Sequence, residues 1–349
     1  MSRISMSLLI TTILVFSLAV YPGAAKQDYK QTNLVSDISG LAKFTDPNLV
    51  NPWGLARSST SPWWVADNGM GVSTLYNGSG NPLSLVVTIP PSGSSPTGVV
   101  FNGGTGFEVD PGKPARFIFV SEDGRITGWN PSVNPTNAVI KVDNSAGNAV
   151  YKGVAIANNG GKDYLYVANF RNGTVDVFDT TFKEVSLGDN FKDEKIPEGF
   201  APFNVVNING DLFVTFAKQD DQKHDDVAGP KLGFVDKFNP DGKLLMRLNH
   251  GPWMNSPWGV VLAPDNFGKL SNKLLVGNFG SGHIGIFDPE NGNFNGFVED
   301  NEGMVTIDGL WALVFGNNAN AGPSNVLFFT AGIDKEQHGL FGTISQDDS

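Results

Sequence analysis

A repeated turn-and-strand pattern constrains the fold of this 349-residue chain more than any other feature of its sequence. Each copy begins with a turn of the Pro-Trp-Gly type, continues through two apolar strands, and ends with a third strand that leads into an Asp-Pro or Asn-Pro turn. The fourth residues of the starts are separated by 44, 55, 51, 55 and 53 positions, which is the length of a four-stranded propeller blade. The six start motifs are Asn51-Pro52-Trp53-Gly54, Ser95-Pro96-Thr97-Gly98, Val150-Tyr151-Lys152-Gly153, Ala201-Pro202-Phe203-Asn204, Ser256-Pro257-Trp258-Gly259 and Gly309-Leu310-Trp311-Ala312.

The apolar pattern between these turns is that of strands. No long segment has the apolar spacing of a helix, and short runs of Val, Ile, Phe, Leu and Tyr alternate with Gly, Asn, Asp and Pro. We therefore predict an all-β, six-bladed β-propeller with four-stranded blades, forming a single domain over residues 26–349. Because an open ring would leave a strand edge exposed, the segment from Gln31 to Ser36 is predicted to close the ring as an N-terminal strand of the sixth blade. The alternatives are an open sandwich and two separate β domains.

Composition limits the function and the partners. Apolar residues make up 40% of the chain and charged residues 17%, which is typical of a folded globular protein. The absence of cysteine excludes disulfides, thiolate metal sites and cysteine nucleophiles. A net charge of -11 makes nucleic acid and anionic membrane surfaces poor partners. A small molecule, a glycan or an extracellular protein is the expected partner, no organic cofactor is expected, and the chain is predicted to be a monomer.

The N-terminus has the pattern of a signal peptide over residues 1–25. Arg3 supplies the positive charge, Leu8 to Val20 form the apolar region, and Gly23-Ala24-Ala25 offers small residues at a cleavage site. We predict a secreted protein, extracellular or in the periplasm or cell envelope, without membrane insertion after cleavage. The alternative is a retained N-terminal anchor.

An acidic loop in the fourth blade is the strongest candidate for a metal site. Four carboxylates within seven residues repel one another, and a divalent cation would relieve this repulsion while ordering the loop. Ca²⁺ suits the oxygen-rich set, and zinc or a similar ion suits it only if the histidine coordinates. The alternative is a solvated acidic loop. The candidate ligands are Asp220, Asp221, His224, Asp225 and Asp226.

Two residues of the sixth blade are the candidates for catalysis. Glu336 and His338 lie between the second and third strands of that blade, so their loop is expected on the same face of the ring as the acidic loop. Either could carry a proton. Other polar residues at the ends of second strands are typical of turns, in which Asn and Asp cap their own backbone. These are Asp67, Asn68, Glu122, Asp123, Asn169 and Asn278.

The third residues of the start motifs are expected to face the mouth of the central channel, where propellers usually bind ligands. The chain resembles the calcium-dependent lactonases of the gluconolactonase and senescence-marker type, which place Asn and Asp metal ligands at some of these positions. Here the positions carry no carboxylate, which departs from that pattern. Aromatic side chains at the mouth could bind a sugar or another planar ligand by stacking. The alternative is that these side chains pack between the blades. The candidate ligand-binding residues are Trp53, Trp258, Trp311, Lys152 and the neighbouring Asn204.

Several longer motifs together resemble an uncharacterised family of exported propeller proteins, some of which carry a sorting signal for the bacterial envelope. The resemblance covers the whole predicted mature chain and implies no activity. It rests on Asp46-Pro47-Asn48-Leu49-Val50-Asn51-Pro52-Trp53-Gly54, on the acidic loop, on Ile307-Asp308-Gly309-Leu310-Trp311-Ala312-Leu313 and on Glu336-Gln337-His338-Gly339-Leu340-Phe341-Gly342. Three functions stay open: a binding or scaffold module, with or without organisation of its loops by calcium, a metal-dependent lactonase, esterase or strictosidine-synthase-like enzyme, and carbohydrate binding.

Overall fold

The computed structural model describes residues 29–187 and 191–347, so the predicted signal peptide lies outside the described residues. Three short 3-10 turns (Asn68–Met70, Ser145–Gly147 and Gly268–Leu270) and one four-residue turn, α1 (Ile333–Glu336), accompany the strands. In chain order the strands are β1 (Tyr29–Ser36), β2 (Phe44–Thr45), β3 (Pro52–Ala56), β4 (Trp63–Asp67), β5 (Val72–Tyr76), β6 (Val87–Thr88), β7 (Pro96–Phe101), β8 (Glu108–Asp110), β9 (Lys113–Pro114), β10 (Phe117–Ser121), β11 (Arg125–Trp129), β12 (Val139–Asp143), β13 (Tyr151–Asn159), β14 (Lys162–Asn169) and β15 (Thr174–Phe178). They continue with β16 (Glu184–Val185), β17 (Phe200–Ile208), β18 (Asp211–Lys218), β19 (Gly233–Phe238), β20 (Leu244–Arg247), β21 (Pro257–Leu262), β22 (Leu274–Asn278), β23 (Ile284–Phe287), β24 (Phe294–Phe297), β25 (Glu299–Asp300), β26 (Gly303–Met304), β27 (Leu310–Phe315), β28 (Leu327–Ala331) and β29 (Leu340–Gln346).

These strands form five four-stranded sheets, one larger sheet and a small hairpin of β8 and β9. The four-stranded sheets are β3 to β6, β7 with β10 to β12, β13 to β16, β17 to β20, and β21 to β24. The larger sheet has the order β27-β28-β29-β1, continues through β25 and β26, and pairs β2 with β1. The structure thus confirms an all-β propeller of five to six four-stranded blades.

The core consists of apolar layers between consecutive sheets. The second strands β4, β10, β22 and β28 are buried along their whole length, and β14 and β18 along most of theirs, which explains their continuous apolar runs. Aromatic pairs cross the interfaces: the rings of Trp64 and Phe117 lie 4.2 Å apart between the first two sheets. Trp63 and Phe328 make a similar pair at 4.8 Å between the first sheet and the larger one.

The first strand of each sheet lies nearest the centre, and the start motifs open these strands as predicted. The six first strands line a central cavity of about 380 Å³. Antiparallel pairing places the end of each second strand beside a start motif, as in the pairs Pro52–Asp67 and Pro257–Asn278. One end of the propeller, the mouth, therefore collects the start motifs and the loops that follow the second strands. In the described part of the chain, no helix has the length and apolar character needed to cross a bilayer.

Candidate functional site

A left-handed turn after β28 carries Glu336 to the mouth. Three consecutive residues, Asp334, Lys335 and Glu336, have φ angles of 52°, 56° and 66°. Side chains other than glycine seldom adopt this conformation, and a run of three is costly. A Cβ at Gly332, just before the turn, would lie 2.1 Å from Oδ1 of Asn51, so a larger residue there would displace the Asn51 amide. This strained backbone turn thus places Glu336 against the first blade.

Glu336 is largely buried beside Asn51. The Asn51 amide donates a hydrogen bond from Nδ2 to Oε1 of Glu336 at 3.0 Å, and its Oδ1 accepts one from the indole of Trp311 at 3.2 Å. Burial raises the pKa of Glu336 to about 7, partly opposed by the Asn51 hydrogen bond and reinforced by the charge of Glu122. The side chain therefore exchanges a proton near neutral pH.

Asparagine side chains link Glu336 to the second and third blades. Asn51 also donates to Oδ1 of Asn68 at 3.2 Å, and Asn68 donates to Oε2 of Glu122 at 3.0 Å. The other oxygen of Glu122 contacts the ammonium of Lys152. Five side chains from four sequence repeats thus form one chain of hydrogen bonds.

The ammonium of Lys152 continues this chain to the acidic loop. Its Nζ lies 3.2 Å from Oδ1 of Asp225, and the same oxygen lies 2.9 Å from Nδ1 of His224. Burial lowers the pKa of Lys152, but the charges of Glu122 and Asp225 outweigh it, so that the pKa is raised above its usual value. Partial burial raises the pKa of the Asp225 carboxylate, but the charge of Lys152 and the contact with His224 together outweigh it, so that the pKa is lowered. We call the following set the mouth network: Asn51, Asn68, Glu122, Lys152, His224, Asp225 and Glu336.

The predicted metal ligands of the acidic loop do not all lie together in the structure. His224 and Asp225 join Glu122, and the three offer ligand atoms within 4.8 Å of one another. Asp220 instead closes the loop, since its Oδ1 accepts a hydrogen bond from the His224 backbone at 2.8 Å. Asp221 is exposed. Asp226 has a pKa raised by burial, and its Oδ2 is buried without a partner among the described residues.

The three predicted ligand-binding tryptophans form a cluster, here called the aromatic plug, which contacts the mouth network at Asn51 and Lys152. Trp53 stacks on Trp311 at a centroid distance of 3.5 Å, and Trp258 meets both rings edge-on. All three are at most 4% exposed. The Trp258 indole donates to the Lys152 carbonyl at 3.1 Å. This arrangement lacks the exposed ring face that sugar stacking requires.

Asn204, also predicted to bind ligand, spans the interface between two blades. Its Nδ2 donates to the carbonyl of Trp258 at 2.9 Å, and its Oδ1 accepts from the backbone of Val205 at 2.8 Å. The side chain is buried, so both of its polar atoms serve the packing of the fourth and fifth sheets.

His338 lies apart from Glu336, although the two are neighbours in sequence. Its Nδ1 lies 2.6 Å from Oδ2 of Asp37, and the other oxygen of Asp37 accepts from the backbone of Gly339 at 2.8 Å. The hydrogen bond with Asp37 raises the pKa of His338. The imidazole thus ties the segment after β1 to the last sheet and does not join the mouth network.

The sequence does not predict the role of three network residues. Asn51 opens the first start motif and has the pattern of a turn residue, and Asn68 and Glu122 have the pattern of turn residues at strand ends. Their common signal is position, because each lies where a start motif or a second strand reaches the mouth. Side chains with that placement in several repeats converge on one point.

No family model matches the chain. Among solved structures, virginiamycin B lyase from Staphylococcus aureus has a TM-score of 0.54 at 10% identity, covering 91% of this chain and 99% of that one. The soluble aldose sugar dehydrogenase from Escherichia coli has a TM-score of 0.55 at 12% identity, covering 91% of this chain and 100% of that one. At these identities the likeness establishes the fold alone.

Two proteins of Acanthamoeba polyphaga mimivirus are similar in sequence over most of the chain. Uncharacterized protein L690 is 33% identical over 339 residues, which are 93% of this chain and 88% of that protein. Uncharacterized protein R648 is 33% identical over 340 residues, covering 93% of this chain and 82% of that protein. The chain therefore belongs to the protein family of which mimivirus L690 and R648 are members.

Proposed function

We propose that this propeller acts on a small polar molecule at the mouth network, with Glu336 accepting and returning a proton. The observation that carries the proposal is the left-handed turn that holds a buried Glu336 against Asn51, where its pKa is about 7. Proton transfer is most efficient when the pKa of the group lies near the working pH. Backbone strain of this kind is concentrated at functional sites, because the surrounding structure must maintain it.

The other network residues orient Glu336 and set the local field. Asn51 and Asn68 hold the carboxylates of Glu336 and Glu122 in place through their amides. The buried ammonium of Lys152 provides a fixed positive charge for negative charge that develops on a substrate. The half-buried imidazole of His224 lies at the edge of the network and is available to contact the ligand.

We propose that the substrate is a lactone or an ester, which is hydrolysed. Elimination is the other reaction that would use Glu336 as a base. In hydrolysis, deprotonated Glu336 takes a proton from water as the water attacks the carbonyl, and the protonated carboxyl then returns it to the leaving oxygen. The similar solved structures include a lyase and a dehydrogenase, and they support only the suitability of the fold.

Turnover of a panel of lactones, esters and elimination substrates by the chain from residue 26 tests this function. Glu336→Gln should lower kcat/KM by at least about 100-fold, because the amide accepts no proton. Wild-type activity should rise with pH through about 7, as Glu336 loses its proton. Glu290→Gln, at an exposed turn, is the matched control and should leave activity unchanged. Full activity of Glu336→Gln would reject the proposal.

A binding or scaffold module organised by calcium is the second candidate. The observation that favours it is the group formed by Glu122, His224 and Asp225, whose ligand atoms lie close together. For this function, Ca²⁺ should raise the melting temperature of the wild type, and Asp225→Asn should abolish the effect. Turnover absent across the whole panel, together with such a calcium effect, would favour this module over the enzyme.

We further propose that the molecule is an exported monomer with six blades, the sixth being β27, β28, β29 and β1. The pairing of β1 with β29 and the packing of Trp63 on Phe328 support a ring closed by the N-terminal strand. The charge and apolar pattern of residues 1–25 supports export.

A further inference from the structure

The ammonium of Lys152 occupies the centre of the oxygen-rich part of the mouth. The Lys152 side chain is 1% exposed, and its Nζ contacts carboxylates from two other blades, Glu122 and Asp225. Nζ also lies 5.0 Å from the ring centre of Trp53, on the aromatic plug. A lysine so deeply buried is stable only when it is paired.

The atoms around this ammonium are those that a divalent metal ion would use. Glu122 and Asp225 each provide a carboxylate oxygen, and His224 provides an imidazole nitrogen, all within 4.8 Å of one another. Asp226 independently indicates a cation site, because its Oδ2 is buried without a partner among the described residues. Its carboxyl is close enough to Lys152, Asp225 and Glu336 for their charges to act on one another.

A metal ion and the ammonium cannot share these oxygens. Both need the facing oxygens of Glu122 and Asp225, and two cations at such a separation in a partly dehydrated site repel strongly. One imidazole with carboxylates suits Zn²⁺ or a similar borderline ion better than Ca²⁺. The side chain at position 152 therefore decides which cation the pocket holds.

We propose that Lys152 is the built-in cation of this pocket and excludes divalent metal ions, so that the mouth network works without a metal. Replacement of the lysine by a neutral residue turns Glu122, His224 and Asp225 into a Zn²⁺ site. This inference goes beyond the acid–base role of Glu336 and does not depend on it, since metal binding is measured without substrate. It is incompatible with a calcium-organised module at Glu122, His224 and Asp225, so tight Ca²⁺ binding by the wild type would favour that module instead.

Calorimetric titration of the folded chain with Zn²⁺, and in parallel with Ca²⁺, tests the proposal. Lys152→Met should bind one Zn²⁺ per chain at least about 100-fold more tightly than the wild type, because the competing charge is gone. Lys152→Arg keeps the charge and should behave as the wild type. Lys152→Met with Asp225→Asn should lose the new site.

Three results would overturn the proposal. The first is a wild type that binds Zn²⁺ or Ca²⁺ as tightly as Lys152→Met and loses this binding with Asp225→Asn. The second is a folded Lys152→Met chain that binds no metal at this pocket. If Lys152→Met unfolds without metal, Zn²⁺ should restore cooperative unfolding, and failure to do so would be the third.

Discussion

At the scale of single residues, the site depends on charged groups held away from water. Glu336 keeps its proton up to about pH 7 because it is buried, whereas Lys152 keeps its charge because two carboxylates face it. The same burial acts in opposite directions on the two groups, since it always favours the neutral form. Burial therefore decides the protonation of Glu336, whereas the two facing carboxylates decide that of Lys152.

The raised pKa of Glu336 should make stability depend on pH. In the unfolded chain this carboxyl has its usual pKa of 4.5, whereas in the folded protein it has a pKa of about 7. The folded state thus binds more protons between these values, and the free energy of unfolding falls as the pH rises through this range. At pH 8 Glu336→Gln should be more stable than the wild type by about 3 kcal/mol, and the difference should vanish below pH 4.5.

Urea denaturation at pH 5, 6.5 and 8 would measure this difference. Glu290→Gln serves as the control because its side chain is exposed, and its stability relative to the wild type should stay constant with pH. A constant difference between Glu336→Gln and the wild type across the three pH values would contradict the assignment of the raised pKa to Glu336.

At the scale of the elements, the start motifs are the points at which neighbouring blades meet. A Cβ at Gly54 would lie 2.5 Å from the carbonyl oxygen of Thr97, and one at Gly259 would lie 2.5 Å from that of Trp311. The contacted residue is in each case the third residue of the next start motif. In the fourth blade Asn204 replaces the glycine, and its amide hydrogen-bonds to the equivalent carbonyl, that of Trp258. Glycine is thus required at positions 54 and 259 by close packing between first strands.

Gly259→Ala should therefore destabilise the protein by about 1 to 3 kcal/mol, because the added methyl group forces the fifth and sixth start motifs apart. Gly147→Ala is the matched control, since no atom lies within 4 Å of the Cβ position there. Its effect should stay within about 0.5 kcal/mol. Thermal and urea unfolding would compare the two variants. Equal stabilities would show that the interface accommodates the added methyl group without a loss of stability.

At the scale of the whole molecule, both ends of the described chain meet in one sheet. Strand β1 pairs with β29 over its whole length, and Val35 of β1 is fully buried. Asp37 then binds His338 and the Gly339 backbone just before β29 begins. Without β1, the edge of β29 and the apolar core beneath it would be open to water.

Deletion of residues 29–36 should lower the melting temperature and cause association, because β29 would become an exposed edge strand. A synthetic peptide of residues 29–36 should restore the melting temperature by adding back the missing strand, whereas a scrambled peptide should not. Size-exclusion chromatography and calorimetry would follow both effects. A truncated chain that stays monomeric and melts like the full chain would rule out closure by β1.

The strands, the repeat and the end of the propeller at which polar loops gather can all be predicted from the amino-acid sequence. Those features depend on neighbours along the chain: apolar residues form strands, and Gly, Asn, Asp and Pro form the turns between them. Position within the repeat was enough to place the acidic loop and Glu336 on one face.

Which side chains meet depends instead on how the sheets pack in three dimensions. Lys152 lies 30 positions from Glu122 and 73 from Asp225 in the sequence, and no local pattern predicts that the three share one pocket. Glu336 and His338 are two positions apart, yet the left-handed turn directs one to the mouth network and leaves the other on Asp37. These contacts depend on how the sheets pack around the centre, because that packing sets distances between loops that are remote in sequence.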